Sequence, residues 1–378
     1  MSAPRPFDPA PDLLAAAEAC AGFMSQGMAG FERLVEVFGL QDDREGSLHL
    51  GIALQSYARG DFAQAGQSLQ GFAAAEHRLA ALEAVFEVLY KAISADIPGA
   101  AVNWVNLAVA LYQQHSTHPA MQRLVLEFFT YFGLWEHALT VFGQLPAAPF
   151  EPWRRQIMLG RARAEGYQPK HRFSFIVLTW NRADLLDRCL TEIQARAGGE
   201  DYEILVGVNA SSDHTARVLE QHPRARAHWN TRNDSVDYYR QLFAAAEGAT
   251  LIEIDDNVVE LPEAFDLTLE RHLQTFPEYG YIAFQPLRLD TASGTRERMD
   301  GAPESAYERV ERAGLTLHAG PVWGCCAAIT KRDWLDINGF YGVRLSKTIG
   351  EEPQIVRKLR LRARDGAMIR GQTVLKAY

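Results

Sequence analysis

From Phe173 onward the chain alternates short apolar, β-prone runs with amphipathic helical stretches, and this alternation limits the possible folds more than any other feature. Apolar runs fall at Phe173–Thr179, Glu203–Val208, Ala227–Asn230 and Thr250–Ile254. The spacing predicts helices over Asp184–Ala195, Asp213–Gln221 and Asp234–Glu247 between them. Such a pattern implies an α/β domain with a parallel sheet covered on both faces. Ligands of these sheets bind beyond the carboxyl ends of the strands. At those ends stand Thr179-Trp180-Asn181-Arg182, then Asn209-Ala210-Ser211-Ser212-Asp213, then Asp255-Asp256-Asn257. Taken singly, each reads as a turn or a helix cap, and Asp213 is a good capping residue.

The first half reads differently. Residues 11 to about 167 carry apolar residues at helical spacing, as in Leu82, Val85, Phe86, Leu89 and Tyr90, separated by breakers such as Gly39, Gly60, Pro119, Gly133 and Pro146. Six to eight helices are expected. The segments Ala53–Ala65 and Phe128–Ala138 look alike, each with a glycine closing one helix and an alanine early in the next. The pattern resembles a degenerate tetratricopeptide array, and an unrelated helical bundle is the alternative. The expected organisation is an all-α domain over 1–168, for contact with a partner or acceptor or for self-association, followed by an α/β domain over 169–378.

Charge and cysteine content narrow the function classes. The formal net charge of −9 argues against sequence-independent nucleic-acid binding. Four cysteines, none in a CxxC pair, suit reduced and buried thiols. No apolar run is long enough to span a membrane and the N-terminus lacks a secretory pattern, so a cytoplasmic protein is expected.

The Asp255-Asp256-Asn257 cluster carries most of the chemistry. It follows the buried strand Leu251–Ile254, and two carboxylates at a strand mouth repel each other unless a cation or donor compensates. Mg²⁺ or Mn²⁺ held there suits a diphosphate. A solvated acidic turn is the competing reading.

Several segments together resemble the family 2 glycosyltransferases of the GT-A fold. Ser174–Leu190, with Thr179-Trp180-Asn181-Arg182, is similar to that family's opening strand, Thr-Tyr-Asn-Arg motif and helix. Ser211-Ser212-Asp213-His214-Thr215 resembles the stretch after its second strand, and Asp255-Asp256-Asn257 its DxD segment. Trp323–Phe340 resembles its acceptor-side strand, helix and Gly-Gly-Phe turn, and Gly350-Glu351-Glu352 stands at the place of its Glu-Asp motif. The resemblance covers about 173–378. It implies transfer from a nucleotide-diphosphate sugar to a glycan or protein hydroxyl with inversion. It further implies Glu352 as the catalytic base and Asp256, with Asp255 second, as ligands of Mg²⁺ or Mn²⁺. Thr179, Asn181, Arg182, Asn209, Arg240 and Asp255 fall at donor-binding positions, and Trp323 and Glu351 at acceptor positions.

Three departures stand out. Val208 and Asn209 occupy the place of a nucleobase-binding aspartate, Ile254 that of the first DxD aspartate, and a glutamate that of the basic aspartate. A second register, Glu253-Ile254-Asp255, restores an acidic first position. These departures favour an alternative function, a helical-repeat interaction protein with an inactive transferase domain. A nucleotidyltransferase is a poorer fit, because no glycine-rich phosphate loop follows the first strand. The basic run Arg357–Arg364 reads as a solvated helix face, and Asp290–Gly314 as a long loop.

Overall fold

The computed structural model describes residues 12–90, 100–145, 147–290, 294–299, 302–342 and 351–377. The chain divides into two compact units, Met1–Ala162 and Arg163–Tyr378.

Among the described residues the first unit is all helical: α1 (Asp12–Gln26), α2 (Phe31–Val37), α3 (Arg44–Ala58), α4 (Phe62–Ala73), α5 (Leu79–Val88), α6 (Ala100–Gln114), α7 (Pro119–Tyr131), α8 (Trp135–Phe142) and α9 (Ala147–Gly166), within which the division falls. The two matching segments are helix pairs. Gly60 and Gly133, at φ 77° and 67°, turn the chain between α3 and α4 and between α7 and α8. Only a residue without Cβ enters that region without strain. Ala65 and Ala138 are buried early in the second helix of each pair. Asp43 and Asp61 cap α3 and α4 by accepting from the amides of Gly46 and Gln64. The core is aromatic: Phe86 meets Trp104, and Tyr90 meets Phe128, each at 5.1 Å between ring centroids. Arg78, only 4% exposed, donates to the carboxylates of Asp43 and Glu45 and ties the start of α5 to the start of α3.

The second unit begins as the sequence pattern predicts: β1 (His171–Thr179), α10 (Ala183–Arg196), β2 (Tyr202–Asn209), α11 (Thr215–Gln221), β3 (Ala225–Asn230), a short 3-10 turn leading into α12 (Tyr239–Ala245), and β4 (Gly248–Asp255). There follow β5 (Val258–Glu260), α13 (Phe265–Thr275), β6 (Tyr279–Leu289), β7 (Arg296–Arg298), β8 (Glu308–Arg312), β9 (Leu315–Ala319), β10 (Cys326–Thr330), α14 (Lys331–Asp336), α15 (Glu351–Arg360) and β11 (Asp365–Ala377). The sheet runs β3-β2-β1-β4-β10-β6-β11-β9-β8, with β5 on β11 and β7 on β6. The expected parallel sheet is thus only half of it. β1 to β4 are parallel, but β10 runs antiparallel between β4 and β6, making the sheet mixed. Nor is 290–314 one long loop, since β7 and β8 fall inside it.

Strand order reverses at β1. The chain steps outward through β2 and β3, then returns to pair β4 on the other side of β1. That reversal opens a crevice at the carboxyl ends of β1 and β4. Phe173, Phe175 and Val177 of β1 pack with Leu186, Leu190 and Ile193 of α10 and Phe265 of α13, which fixes β1 at the centre. Gly207 on β2 lets the 3-10 turn and α12 approach closely, for a Cβ there would sit 2.6 Å from Leu242.

The basic run Arg357–Arg364 is not a solvated face. Lys358 is fully buried, and its ammonium donates to the carbonyls of Gly339 (2.8 Å), Tyr341 (2.9 Å) and Ile337 (3.4 Å). Arg360 pairs with Asp365, Arg362 donates to the Asp336 carbonyl, and Arg364 pairs with Asp333. A long amphipathic cation can reach buried backbone acceptors that an apolar side chain, lacking any donor, cannot satisfy. All four cysteines are free and buried, and burial pushes the Cys20 thiol up to about 12. Among the described residues no helix is long and apolar enough to cross a membrane.

Candidate active site

A cleft of about 590 Å³ opens at the reversal point. Leu178, Thr179, Trp180 and Arg182 line it from the end of β1, Asn209 from β2, and Asp255, Asp256 and Asn257 from β4. Asn233, Ser235, Val236 and Tyr239 close one side, and Lys376 of β11 closes another. Of the residues singled out in the sequence, Thr179, Arg182, Asn209, Asp255 and Asp256 are therefore brought together.

Their electrostatics are tightly arranged. Asp256 is 6% exposed, and Arg182 Nη1 donates to its Oδ1 at 3.0 Å. Burial pushes the Asp256 carboxyl above the usual carboxylate range, and the Arg182 charge opposes that shift. Asp255 forms an ion pair with Lys376 through Oδ2, and its amide is bonded to the Cys325 carbonyl at 3.0 Å. The two carboxylates thus face two cations of the same chain, so the cleft's formal charge balances. Thr179 Oγ1 is fully buried beside Asp256 and helps to hold that carboxyl down. Glu253, from the alternative register, lies outside the cleft: it is buried and accepts from the Tyr281 hydroxyl at 3.4 Å.

Around the cleft, polar side chains hold the loops. Asn181, at φ 51°, receives the Ser212 amide on Oδ1 at 2.7 Å and gives its own amide to Ser211 Oγ. It fastens the first strand-end loop to the second and does not line the cleft. Asp213 accepts from the amides of Ala183 and Thr215 and from the Thr215 hydroxyl, capping two helices at once. Burial would raise its carboxyl, but these hydrogen bonds prevail and hold it below the usual range. Asn209 is saturated. Its Nδ2 donates to Asn233 Oδ1 and the Ser235 carbonyl, and its Oδ1 accepts from Asn230 Nδ2 and the Asp234 amide. A carboxamide has no further donor or acceptor site to offer a nucleobase, so Asn209 acts here as the pin of the loop after β3.

Besides Asn181, two further candidates stand apart from the cleft. Arg240 follows Tyr239 on α12 but points elsewhere, because adjacent helical residues diverge by roughly 100°. Its guanidinium donates to the Phe340 carbonyl and to Asp237, so it braces the turn after α14. Trp323 is 39% exposed and does not line the cleft. Glu351 and Glu352 open α15, and their side chains lie outside the described residues. The sequence reading missed Lys376. No local motif marks it, and only the pairing of β11 with β5 carries it to Asp255, 121 residues away. Trp180, half exposed at the cleft, was visible in the motif but was given no role.

The residues present fit a divalent ion held jointly with a ligand. Among the described residues no group of three or more His, Cys, Asp or Glu side chains converges. Mg²⁺ and Mn²⁺ commonly use one or two carboxylates and complete their shell with phosphate oxygens and water. Adjacent Asp255 and Asp256, in a cleft roomy enough for a ligand's phosphate oxygens and water, match that demand.

Residues 174–336 match the family model described as Glycosyl transferase family 2. No protein of curated function matches the chain. Among solved structures, the chain is similar to mannosyltransferase PcManGT from Pyrobaculum calidifontis in complex with GDP-Man and Mn²⁺. Identity there is 18%, over 65% of this chain and 68% of that one, with a TM-score of 0.41. TarS 1-349 from S. aureus in complex with UDP-GlcNAc is 13% identical over 55% of this chain, with a TM-score of 0.41, and the match spans 58% of its length. Glucosyl-3-phosphoglycerate synthase from Mycobacterium tuberculosis, in complex with Mn²⁺, UDP and phosphoglyceric acid, is 14% identical over 58% of this chain and 73% of its own, with a TM-score of 0.37. The C-terminal unit of this chain carries a glycosyltransferase domain of family 2, over residues 174–336.

Proposed function

We propose that the chain transfers a sugar from a nucleotide-diphosphate donor to an acceptor hydroxyl with inversion, assisted by Mg²⁺ or Mn²⁺. The observation that carries this reading is the convergence of Thr179, Arg182, Asp255, Asp256 and Lys376 in one cleft at the strand-order reversal of a family 2 domain. Two carboxylates balanced by two cations leave a diphosphate's negative charge uncompensated, and a divalent ion supplies the balance. When bound, that ion offsets charge growing on the departing diphosphate.

The chain's own residues do the rest. Asp255 and Asp256 hold the ion, and Arg182 opposes the burial that raises the Asp256 carboxyl. Trp180 offers the cleft an exposed aromatic face for a base or sugar ring. Glu352, at the start of α15, takes the proton of the acceptor hydroxyl as it attacks, with Glu351 and Trp323 on the acceptor side. The helical unit, with its paired helices of tetratricopeptide-like pattern, recruits the acceptor or a protein partner. Its cavity of about 390 Å³, lined by Tyr112, Val125, Phe129, His137 and Val141, supports such a contact. The reaction takes place in the cytoplasm.

Nucleotide release from a panel of UDP-, GDP-, CDP- and dTDP-sugars, with water as the acceptor hydroxyl, tests the reading. One donor class should be turned over only with Mg²⁺ or Mn²⁺. Glu352→Gln should lower that turnover by roughly 10²–10⁴-fold with little change in nucleotide affinity. Metal-independent release from every donor, or release unaffected by Glu352→Gln, contradicts it. One observation favours the second reading, an interaction protein with an inactive domain: the fully engaged Asn209 offers no base contact. Absence of any turnover or nucleotide binding would select that reading.

A further inference from the structure

We propose that Lys376 is a diphosphate-binding residue that waits on Asp255 and changes partner when metal and nucleotide enter; this rests on the donor-site reading above. Its backbone is fixed. Lys376 pairs with Val258 across β11 and β5, Ala377 donates its amide to the Asn257 carbonyl at 2.9 Å, and Asn257 Nδ2 returns a bond to the Ala377 carbonyl at 3.0 Å. The tail strand is thereby locked over the Asp-Asp-Asn segment, and only the lysine side chain is left to move.

That side chain is 12% exposed, lines the cleft and donates to Asp255 Oδ2, whose residue is 31% exposed. An ammonium largely held from water needs acceptors for its protons, and a carboxylate or a phosphate is the strongest that this cleft can offer. A divalent ion on Asp255 competes for the same carboxylate and repels the ammonium. Once displaced, the flexible four-carbon stem can place the ammonium on the other anion in the same cleft, the diphosphate. Arg182 differs, because its half-exposed guanidinium holds Asp256 from a loop rather than from a locked strand.

This exchange has a signature that a structural lysine lacks, for its two effects have opposite sign. Full-length wild type, Lys376→Met and Lys376→Arg are titrated with Mn²⁺ alone, followed by electron paramagnetic resonance. They are then titrated with UDP, GDP, CDP and dTDP in saturating Mn²⁺, followed by calorimetry. Lys376→Met should bind Mn²⁺ alone several-fold more tightly, because the competitor is gone. It should bind the preferred nucleoside diphosphate roughly tenfold more weakly, because a charge-assisted hydrogen bond is lost. Lys376→Arg should restore most of the nucleotide affinity. Unchanged nucleotide affinity in Lys376→Met, or parallel weakening of metal and nucleotide, overturns the role of Lys376 while leaving the donor site standing. A wild type that binds none of the four diphosphates removes the donor-site reading itself, and Lys376's role with it.

Discussion

Replacing Lys358 with methionine should loosen the helix that carries the proposed base. The lysine is completely buried on α15, and its ammonium satisfies the carbonyls of Gly339 and Tyr341 at 2.8 and 2.9 Å, with a longer bond to Ile337. Methionine keeps the stem's volume and removes all three donations. A buried acceptor stripped of a charged donor costs about 1–3 kcal/mol, so the two good bonds together give about 3 kcal/mol after allowing for non-additivity. For a unit of about 200 residues, each kcal/mol lowers Tm by about 2–4 °C, so the C-terminal unit should melt about 6–12 °C earlier. Differential scanning calorimetry of the full chain is the assay, because a chain of two units can melt in two steps. Arg332→Ala serves as control, since its exposed pairing with Asp336 is worth less than about 1 kcal/mol. A Lys358→Met transition within about 1 kcal/mol of wild type, or indistinguishable from Arg332→Ala, refutes the claim that this lysine anchors the turn.

Other expectations follow from the same geometry. Asn209→Asp, which restores the acidic type expected at the end of the second strand, should destabilise the C-terminal unit by about 1–3 kcal/mol in urea unfolding, because the donations to Asn233 and Ser235 disappear. Improved UDP binding without loss of stability would sink that idea. Asp43→Asn should cost the helical unit about 3 kcal/mol, since buried Arg78 loses its principal partner. The hydrogen bond from Arg78 holds the Asp43 carboxyl well below its usual range. Its stabilisation is therefore fully present above about pH 4 and declines as pH falls further toward the folded-state value. The gap between wild type and Asp43→Asn should narrow correspondingly in acid, and a gap constant from pH 6 to pH 2 contradicts the assignment.

The parallel half of the sheet was legible because each of its strands is a short apolar run followed by an amphipathic helix, a local signal. The pairing of β10, β6 and β11 was not, because it is non-local and follows no βαβ rhythm. β11 even breaks register between Ile369 and Thr373, hiding its period. At the site, Asp255 and Asp256 could be read from their place after a buried strand, yet the cations that compensate them could not. Arg182 lies 74 residues away and Lys376 121. The surroundings of Arg240 and of the Arg357–Arg364 run were hidden from the sequence for one shared reason. Composition shows a charge, but not whether it faces a ligand, water or a neighbouring carbonyl. Asn209 shows the converse, a polar residue at the right strand end whose every hydrogen bond turns inward.

Calorimetric titration of UDP, GDP, CDP and dTDP, with and without Mn²⁺, on wild type and Asp256→Ala tests the central claim most directly. The account predicts that one nucleotide binds wild type only with metal, and that Asp256→Ala loses this binding by at least about tenfold. Binding that needs no metal, or that survives intact in Asp256→Ala, contradicts it.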